Sequence, residues 1–389
     1  MNGLRTVYET MGFLGMTHLN VCMILVSLFL AFLAIYKKYE PLLLLPLAMG
    51  ILIANIPAAG LSAYFIKPDG TLGLMAFLYQ GILMVIYPPL IFLCIGAMTD
   101  FGPLIANPKT AIIGLGGQLG IFVAMATSFF LGNWLAPFIP GFDGFSLKEA
   151  GAIGIIGSSD GPTSIYTATR LAPDLLPSIA IAAFSYMALV PFIQPPIMRL
   201  LTTQKERVII MPEPKQVTQK QKIIFPIVMI LVTLFIFPAA SALIAMLMIG
   251  NLIKESGVTQ RFVPTFQTEM LNILTFFVGL SIGSSATAER FLTPQTLIII
   301  FCGLLAFAFG TIGGVLTAKL LCWITNGKIN PLIGNSGVSA MPMAARISQK
   351  IGQKYNPQSH LLMHAMGPIV SSTIGSAMVA GVLISIFSR

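Results

Sequence analysis

Charge is what this sequence has least of. Lys, Arg, Asp and Glu together make up 9% of its 389 residues, and only 13 residues are acidic. Soluble domains carry about 25% charged residues, so an ordinary globular protein is excluded. Cysteine is scarce as well: Cys22, Cys94, Cys302 and Cys322 stand singly in or beside apolar runs, with no CxxC or Cys/His spacing. That excludes a zinc-finger pattern or a disulfide framework and leaves packing as their expected role. The opening MNGLRTVYET contains an acid and has no small-residue cleavage site, so a removable signal peptide is not expected.

What the chain does have is apolar length. Hydrophobic residues make up 56% of it and the mean hydropathy is +0.88, which defines an all-α polytopic membrane protein. A helix needs about 20 apolar residues to cross the hydrocarbon core. Uncharged runs lie near 19–36, 41–56, 74–98, 110–132, 150–169 and 175–198, then near 223–237, 239–253, 270–288, 295–318, 329–350 and 358–387. Ten to twelve membrane segments are therefore expected, with the short runs 41–56 and 239–253 tilted, kinked or not fully crossing. The net charge of +9 does not point to nucleic acid, because six of the 22 basic residues fall in the single stretch 199–222. Such a loop reads as cytoplasmic, and Lys37 and Lys38 point to the same side.

The loop at 199–222 separates two halves, 1–198 and 223–389, that echo each other. LVSLF at 25–29 recurs as LVTLF at 231–235, and Gly50-x-Leu52-Ile53 recurs as Gly250-x-Leu252-Ile253. Ile95-Gly96 before Pro108-x-Thr110 matches Ile282-Gly283 before Pro294-x-Thr296, and Gly157-x-Ser159-x-x-Pro162 matches Gly337-x-Ser339-x-x-Pro342. Glycine and proline are common in membrane helices, but the order of the matches is kept. Two repeats are expected, each with a broken or re-entrant segment, near 157–163 and 330–342. Five elements separate Lys37/Lys38 from the basic loop, so a common side requires one of them not to cross, which favours inverted repeats. Paired interruptions of this kind mark transporter binding sites.

The first break, GSSDGPTS, contains Asp160. A carboxylate at membrane depth is costly and usually functional. Around it stand the hydroxyls of Ser158, Ser159, Thr163 and Ser164, together with carbonyls freed at Gly157, Gly161 and Pro162. The second break adds Asn330, Asn335, Ser336 and Ser339 but no acid. One carboxylate among neutral oxygens suits a monovalent cation better than calcium. Asp160 can equally cap a half-helix, and the two roles are compatible. Arg346 could grip a carboxylate bidentately or snorkel to the interface. Tyr186 reads first as an interhelical hydrogen bond, His360 and His364 as structural, and the YPP and QPP prolines as shaping helices.

GSSDGPTSIYTATRLAPDLL, SYMALVPFIQPPIM, INPLIGNSGVSAMPMAARISQKIG and LLMHAMGP together resemble the β subunit of the biotin-dependent, sodium-pumping decarboxylases of the oxaloacetate, methylmalonyl-CoA and glutaconyl-CoA type. The similarity runs from KKYEPLLLLP near residue 37 to the final GSAMVAGVLI. It implies a multi-pass subunit of a bacterial inner membrane that decarboxylates carboxybiotin and couples this to Na⁺ export. It further implies essential roles for Asp160, Tyr186, Asn330, Gly334, Ser339 and Arg346. Na⁺ would be bound by Asp160, Ser159, Asn330 and Ser339. Asp160, Tyr186 and Arg346 would act in catalysis, and Arg346 and Gly334 would meet carboxybiotin. Implied partners are biotin carrier and carboxyltransferase subunits and a small single-span γ-type subunit, with this chain a homotrimer. The family's GGADGP here reads with Ser158 and Ser159 in place of Gly and Ala, and Ile369 replaces an asparagine common after HAMGP. The short loop before YPPL favours an acyl-CoA decarboxylase partner. The chain has no biotin-attachment motif or carboxyltransferase region. The alternative is a free-standing Na⁺/H⁺ antiporter or Na⁺/organic-anion symporter.

Overall fold

The computed structural model describes residues 11–213, 216–340 and 343–388, apart from the side chains of 187 and 188. The expectation about a signal peptide at 1–10, and Pro342 of the second break, lie outside the described residues. Helices dominate, and among the described residues the only β pairing is an isolated bridge between Ile66 and Leu72.

The first half contains α1 (His18–Ile35), α2 (Pro41–Ala54), α3 (Leu74–Leu83), α4 (Tyr87–Met98), α5 (Ala111–Gly117), α6 (Leu119–Leu135), α7 (Leu147–Gly154), α8 (Gly161–Leu171) and α9 (Leu176–Leu201). The second half contains α10 (Gln219–Ile236), α11 (Ser241–Ser256), α12 (Leu271–Ser285), α13 (Pro294–Ile324), α14 (Met343–Tyr355) and α15 (Leu362–Phe387).

Among the described residues six helices are long and apolar enough to cross a membrane, or eight if each of two bent pairs counts as one span. The pair α3 and α4 meets at 67°, and the segments Pro173–Tyr186 and Leu189–Leu201, which make up α9 and the 3₁₀ turn before it, meet at 61°. Several expected spans are thus not single full-length helices. Near 150–169 and 329–350 glycine and proline interrupt the backbone hydrogen-bond ladder, leaving α7 and α8 on either side of the first break and a 3₁₀ turn at Pro331–Gly337 ahead of α14 in the second. The outer faces carry exposed Leu25, Phe29, Leu231 and Phe235, the surface expected of lipid-facing helices. Three of the four cysteines are buried and all four are free.

Lengths recur between the halves. Both α1 and α10 have 18 residues, and both α9 and α15 have 26. Pro108–Phe138 and Pro294–Ile324 each span 31 residues. Packing recurs too. A Cβ built on Gly96 of α4 would lie 1.9 Å from the Leu247 carbonyl of α11, and one on Gly250 would lie 2.0 Å from the Leu93 carbonyl. Gly50 of α2 and Gly283 of α12 approach the Leu280 and Leu47 carbonyls in the same manner, at 2.4 and 2.2 Å. Only glycine lets two helix backbones come this close, the small-residue packing typical of membrane helices. Gly50 and Gly250 are matched in the sequence, as are Gly96 and Gly283, and each crossing joins one glycine of one matched pair to one of the other.

The basic stretch is partly folded onto the helices. Arg207 is buried and donates to Thr202 Oγ1 and to the Tyr355 hydroxyl, both at 2.9 Å.

Candidate cation and carboxylate site

The first break forms because α7 cannot continue. A capping box between Ser146 and Glu149 starts α7. The chain then tightens into a 3₁₀ turn at Ile155–Ser158, and Ser159 turns left-handed at φ 58°. Asp160 follows as the N-cap of α8, with Pro162 in its first turn, where a missing N–H costs nothing. Asp160 Oδ1 accepts the Thr163 backbone N–H at 3.3 Å. Its Oδ2 accepts the Thr163 hydroxyl at 2.8 Å and the Ser376 hydroxyl of α15 at 2.9 Å. The capping role is therefore real, and Asp160 is 5% exposed.

In the second break Asn330 Oδ1 caps a 3₁₀ turn at Pro331–Gly337, accepting from the Leu332 N–H at 3.0 Å. Gly334 lies against α13, where a Cβ would sit 2.5 Å from Val315 Cα. The chain then reaches Ser339, whose N–H donates to the Ser158 carbonyl at 3.0 Å. The two breaks thus meet through their backbones. The Ser339 hydroxyl donates to Ser372 Oγ at 3.0 Å, and Gln118 donates to that same oxygen at 3.1 Å.

A cavity of about 330 Å³ opens at this meeting point. Ser159, Asp160, Ser339, Thr373, Thr275 and Glu40 bring side-chain oxygens to its lining, and Phe184, Met98 and Met366 are among its apolar residues. The Ser159 hydroxyl is buried and finds no hydrogen-bond partner among the described residues, an unusual state for a buried polar group. Among the described residues no three His, Cys, Asp or Glu side chains gather as a multivalent-metal site would require. One carboxylate with serine oxygens, one of them unused, fits a small monovalent cation.

The structure brings together Asp160, Ser159 and Ser339 but separates the other expected site residues from them. Asn330 does not line the cavity; its amide donates to the Arg207 and Ile209 carbonyls at 3.2 and 2.8 Å, so it ties the basic loop to the second break. Gly334 is consumed in packing against α13. The Tyr186 hydroxyl donates to the Ile300 carbonyl, and its ring fills the space above Gly303. Arg346 is exposed on α14 and acts on a residue the sequence reading passed over, Glu40. Glu40 lines the cavity; burial pushes its carboxyl up, and the Arg346 guanidinium pulls it back down. A signal was available, since Glu40 is a lone acid beside an apolar run just as Asp160 is. Ser376 was also missed. Its signal was the Ser372/Ser376 spacing, which puts both hydroxyls on one face of α15.

Apolar helices of membrane-spanning length, with paired broken segments enclosing a buried carboxylate, define the class as a polytopic membrane protein. The family follows from comparison with known proteins. Residues 19–387 match the family described as the Na⁺-transporting oxaloacetate decarboxylase beta subunit, and the chain belongs to that family. It is 50% identical to the methylmalonyl-CoA decarboxylase subunit beta of Veillonella parvula, over 99% of this chain and 98% of that one. It is 48% identical to the glutaconyl-CoA decarboxylase subunit beta of Acidaminococcus fermentans, over 98% and 97%. It is 44% identical to the oxaloacetate decarboxylase beta chain 2 of Salmonella typhi, over 99% of both.

Proposed function

We propose that this chain is the membrane subunit of a Na⁺-pumping, biotin-dependent decarboxylase, removing CO₂ from carboxybiotin on a partner carrier and exporting Na⁺. The observation that carries the reading is the unpartnered Ser159 hydroxyl beside Asp160 and Ser339, at the point where the two breaks are hydrogen-bonded. Na⁺ is held by Asp160, Ser159 and Ser339. Asn330 and Gly334 position the second break, and Tyr186 holds α9 against α13. Arg346, at the open end, receives the substrate carboxylate through paired hydrogen bonds. The two matched glycine crossings support inverted repeats that rock about the site.

Coupling requires the inward- and outward-open states to differ in their affinity for Na⁺ and for carboxybiotin. Loss of the substrate's negative charge on decarboxylation supplies that difference. The partners are a biotin carrier, a carboxyltransferase and a small single-span subunit, with an acyl-CoA as the preferred carboxyl donor and a trimer of this chain at the centre. These finer assignments rest on the family resemblance.

The test is Na⁺ uptake into proteoliposomes containing the complete complex. Uptake should need the carboxyl donor and stop when avidin sequesters the biotin. Uptake indifferent to avidin would favour the free-standing transporter instead.

A further inference from the structure

Glu40 is the cavity residue that neither break explains. It precedes Pro41 in a left-handed conformation, φ 37° and ψ 58°, which costs a non-glycine residue about 1–3 kcal/mol and persists where the surroundings impose it. Its side chain does not cap α2, and among the described residues no hydrogen-bond donor reaches it. It is half-buried and lines the same cavity as Asp160. Among the described lining residues these two are the titratable ones. Arg346 of α14 is the charge that acts on Glu40. Its chain neighbours Lys37 and Lys38 are exposed, and Tyr39 packs edge-on against Phe192.

The two acids have opposite surroundings. Asp160 is surrounded by donors, including the backbone N–H of Thr163, and is built to accept, as a cation ligand must. Glu40 has no donor among the described residues and follows the exposed Lys37 and Lys38, whose charge marks the cytoplasmic side from which a soluble carrier would arrive. Two carboxyls in one cavity, one held by hydrogen-bond donors and one facing an arginine, can divide ligand and acid roles between them.

We propose that Glu40 is the proton donor of the decarboxylation, leaving Asp160 to the cation; this rests on the reading that carboxybiotin enters this cavity. The N–C bond of carboxybiotin breaks with its electron pair remaining on the ureido nitrogen, and CO₂ departs. The Glu40 carboxyl passes its proton to that nitrogen and becomes a carboxylate. Arg346, released by the substrate carboxylate, then faces the new Glu40 anion until water at the mouth returns a proton.

The test is single-turnover CO₂ release from carrier preloaded with ¹⁴C-carboxybiotin, in the intact complex, from acidic to alkaline pH. In the wild type the rate should fall as pH rises, because the donor must be protonated. Glu40→Gln keeps size and backbone and should be about 10²-fold slower, with that pH dependence gone and Na⁺ protection against heat intact. Glu40→Ala should regain part of the rate with added formate or acetate. Wild-type rate and profile in Glu40→Gln overturn the proposal. So does joint loss of rate and Na⁺ protection, which marks a structural residue. Failure of the wild-type complex to release CO₂ from the carrier would defeat the functional reading itself, and this proposal with it.

Discussion

Ser376 of α15 donates its hydroxyl to Asp160 Oδ2 at 2.9 Å, across 216 residues of chain. The bond fixes the carboxylate of the first break to the last helix of the second half. Hydrogen bonds to charged groups are worth about 1.5–3 kcal/mol. Ser376→Ala should therefore weaken apparent Na⁺ affinity by about tenfold, most at acid pH, where a less stabilised carboxylate loses Na⁺ to protons. Asp160→Asn should remove Na⁺ dependence altogether while the protein still inserts. Both are read from Na⁺ titrations of decarboxylation and of thermal stability. Wild-type Na⁺ dependence in Asp160→Asn would sink the assignment.

The two glycine crossings predict where size cannot be tolerated. Gly96→Ala and Gly250→Ala each put a methyl about 2 Å from a carbonyl oxygen of the opposing helix, so the backbones must separate. Overpacking of this kind costs about 1–3 kcal/mol or more. Gly151→Ala meets only the movable Phe387 ring at 3.3 Å and should be nearly neutral. Melting in detergent separates the cases. Equal melting of all three would show that the crossings are looser than an approach of about 2 Å requires.

Much of this fold was legible in the sequence because membrane helices declare themselves by apolar length and their interruptions by glycine and proline. Asp160 as a cap followed from the same signals, whereas the meeting of the two breaks is shown only by the Ser339 N–H on the Ser158 carbonyl. What stayed hidden was partnership over distance. Ser376 looks like any serine in SSTIGS until α15 is packed against α8. Asn330 looked like a cation ligand because an amide oxygen can serve either purpose. Only the folded chain shows its oxygen on Leu332 and its hydrogens on the loop carbonyls. Glu40 escaped notice because it lies between helices, where an acid ordinarily needs no explanation.

Asn330 consequently carries a prediction of its own. Asn330→Ala removes both donors to the Arg207 and Ile209 carbonyls, at about 1 kcal/mol each, and so should free the basic loop. Trypsin should cut at Lys205 and Arg207 at least several-fold faster than in the wild type, while Na⁺ still protects the helical core from heat. An unchanged loop with lost Na⁺ protection would instead make Asn330 a ligand.

Arg346 separates substrate capture from cation binding. It is exposed and does not line the cavity that holds Asp160, so its replacement should leave Na⁺ protection intact. Arg346→Lys keeps the charge but loses the planar fork that matches a carboxylate. It should lower kcat/KM for the carboxylated carrier by at least about tenfold, a loss of ~1.4 kcal/mol in transition-state stabilisation. Glu40 sharpens the test, since its carboxyl is drawn down by Arg346. Arg346→Gln should let the Glu40 carboxyl rise further, carrying the fall in activity with pH to more alkaline values. Arg346→Lys should shift it little, because a positive charge remains. If Arg346 only snorkels, both variants should keep the wild-type KM and pH profile.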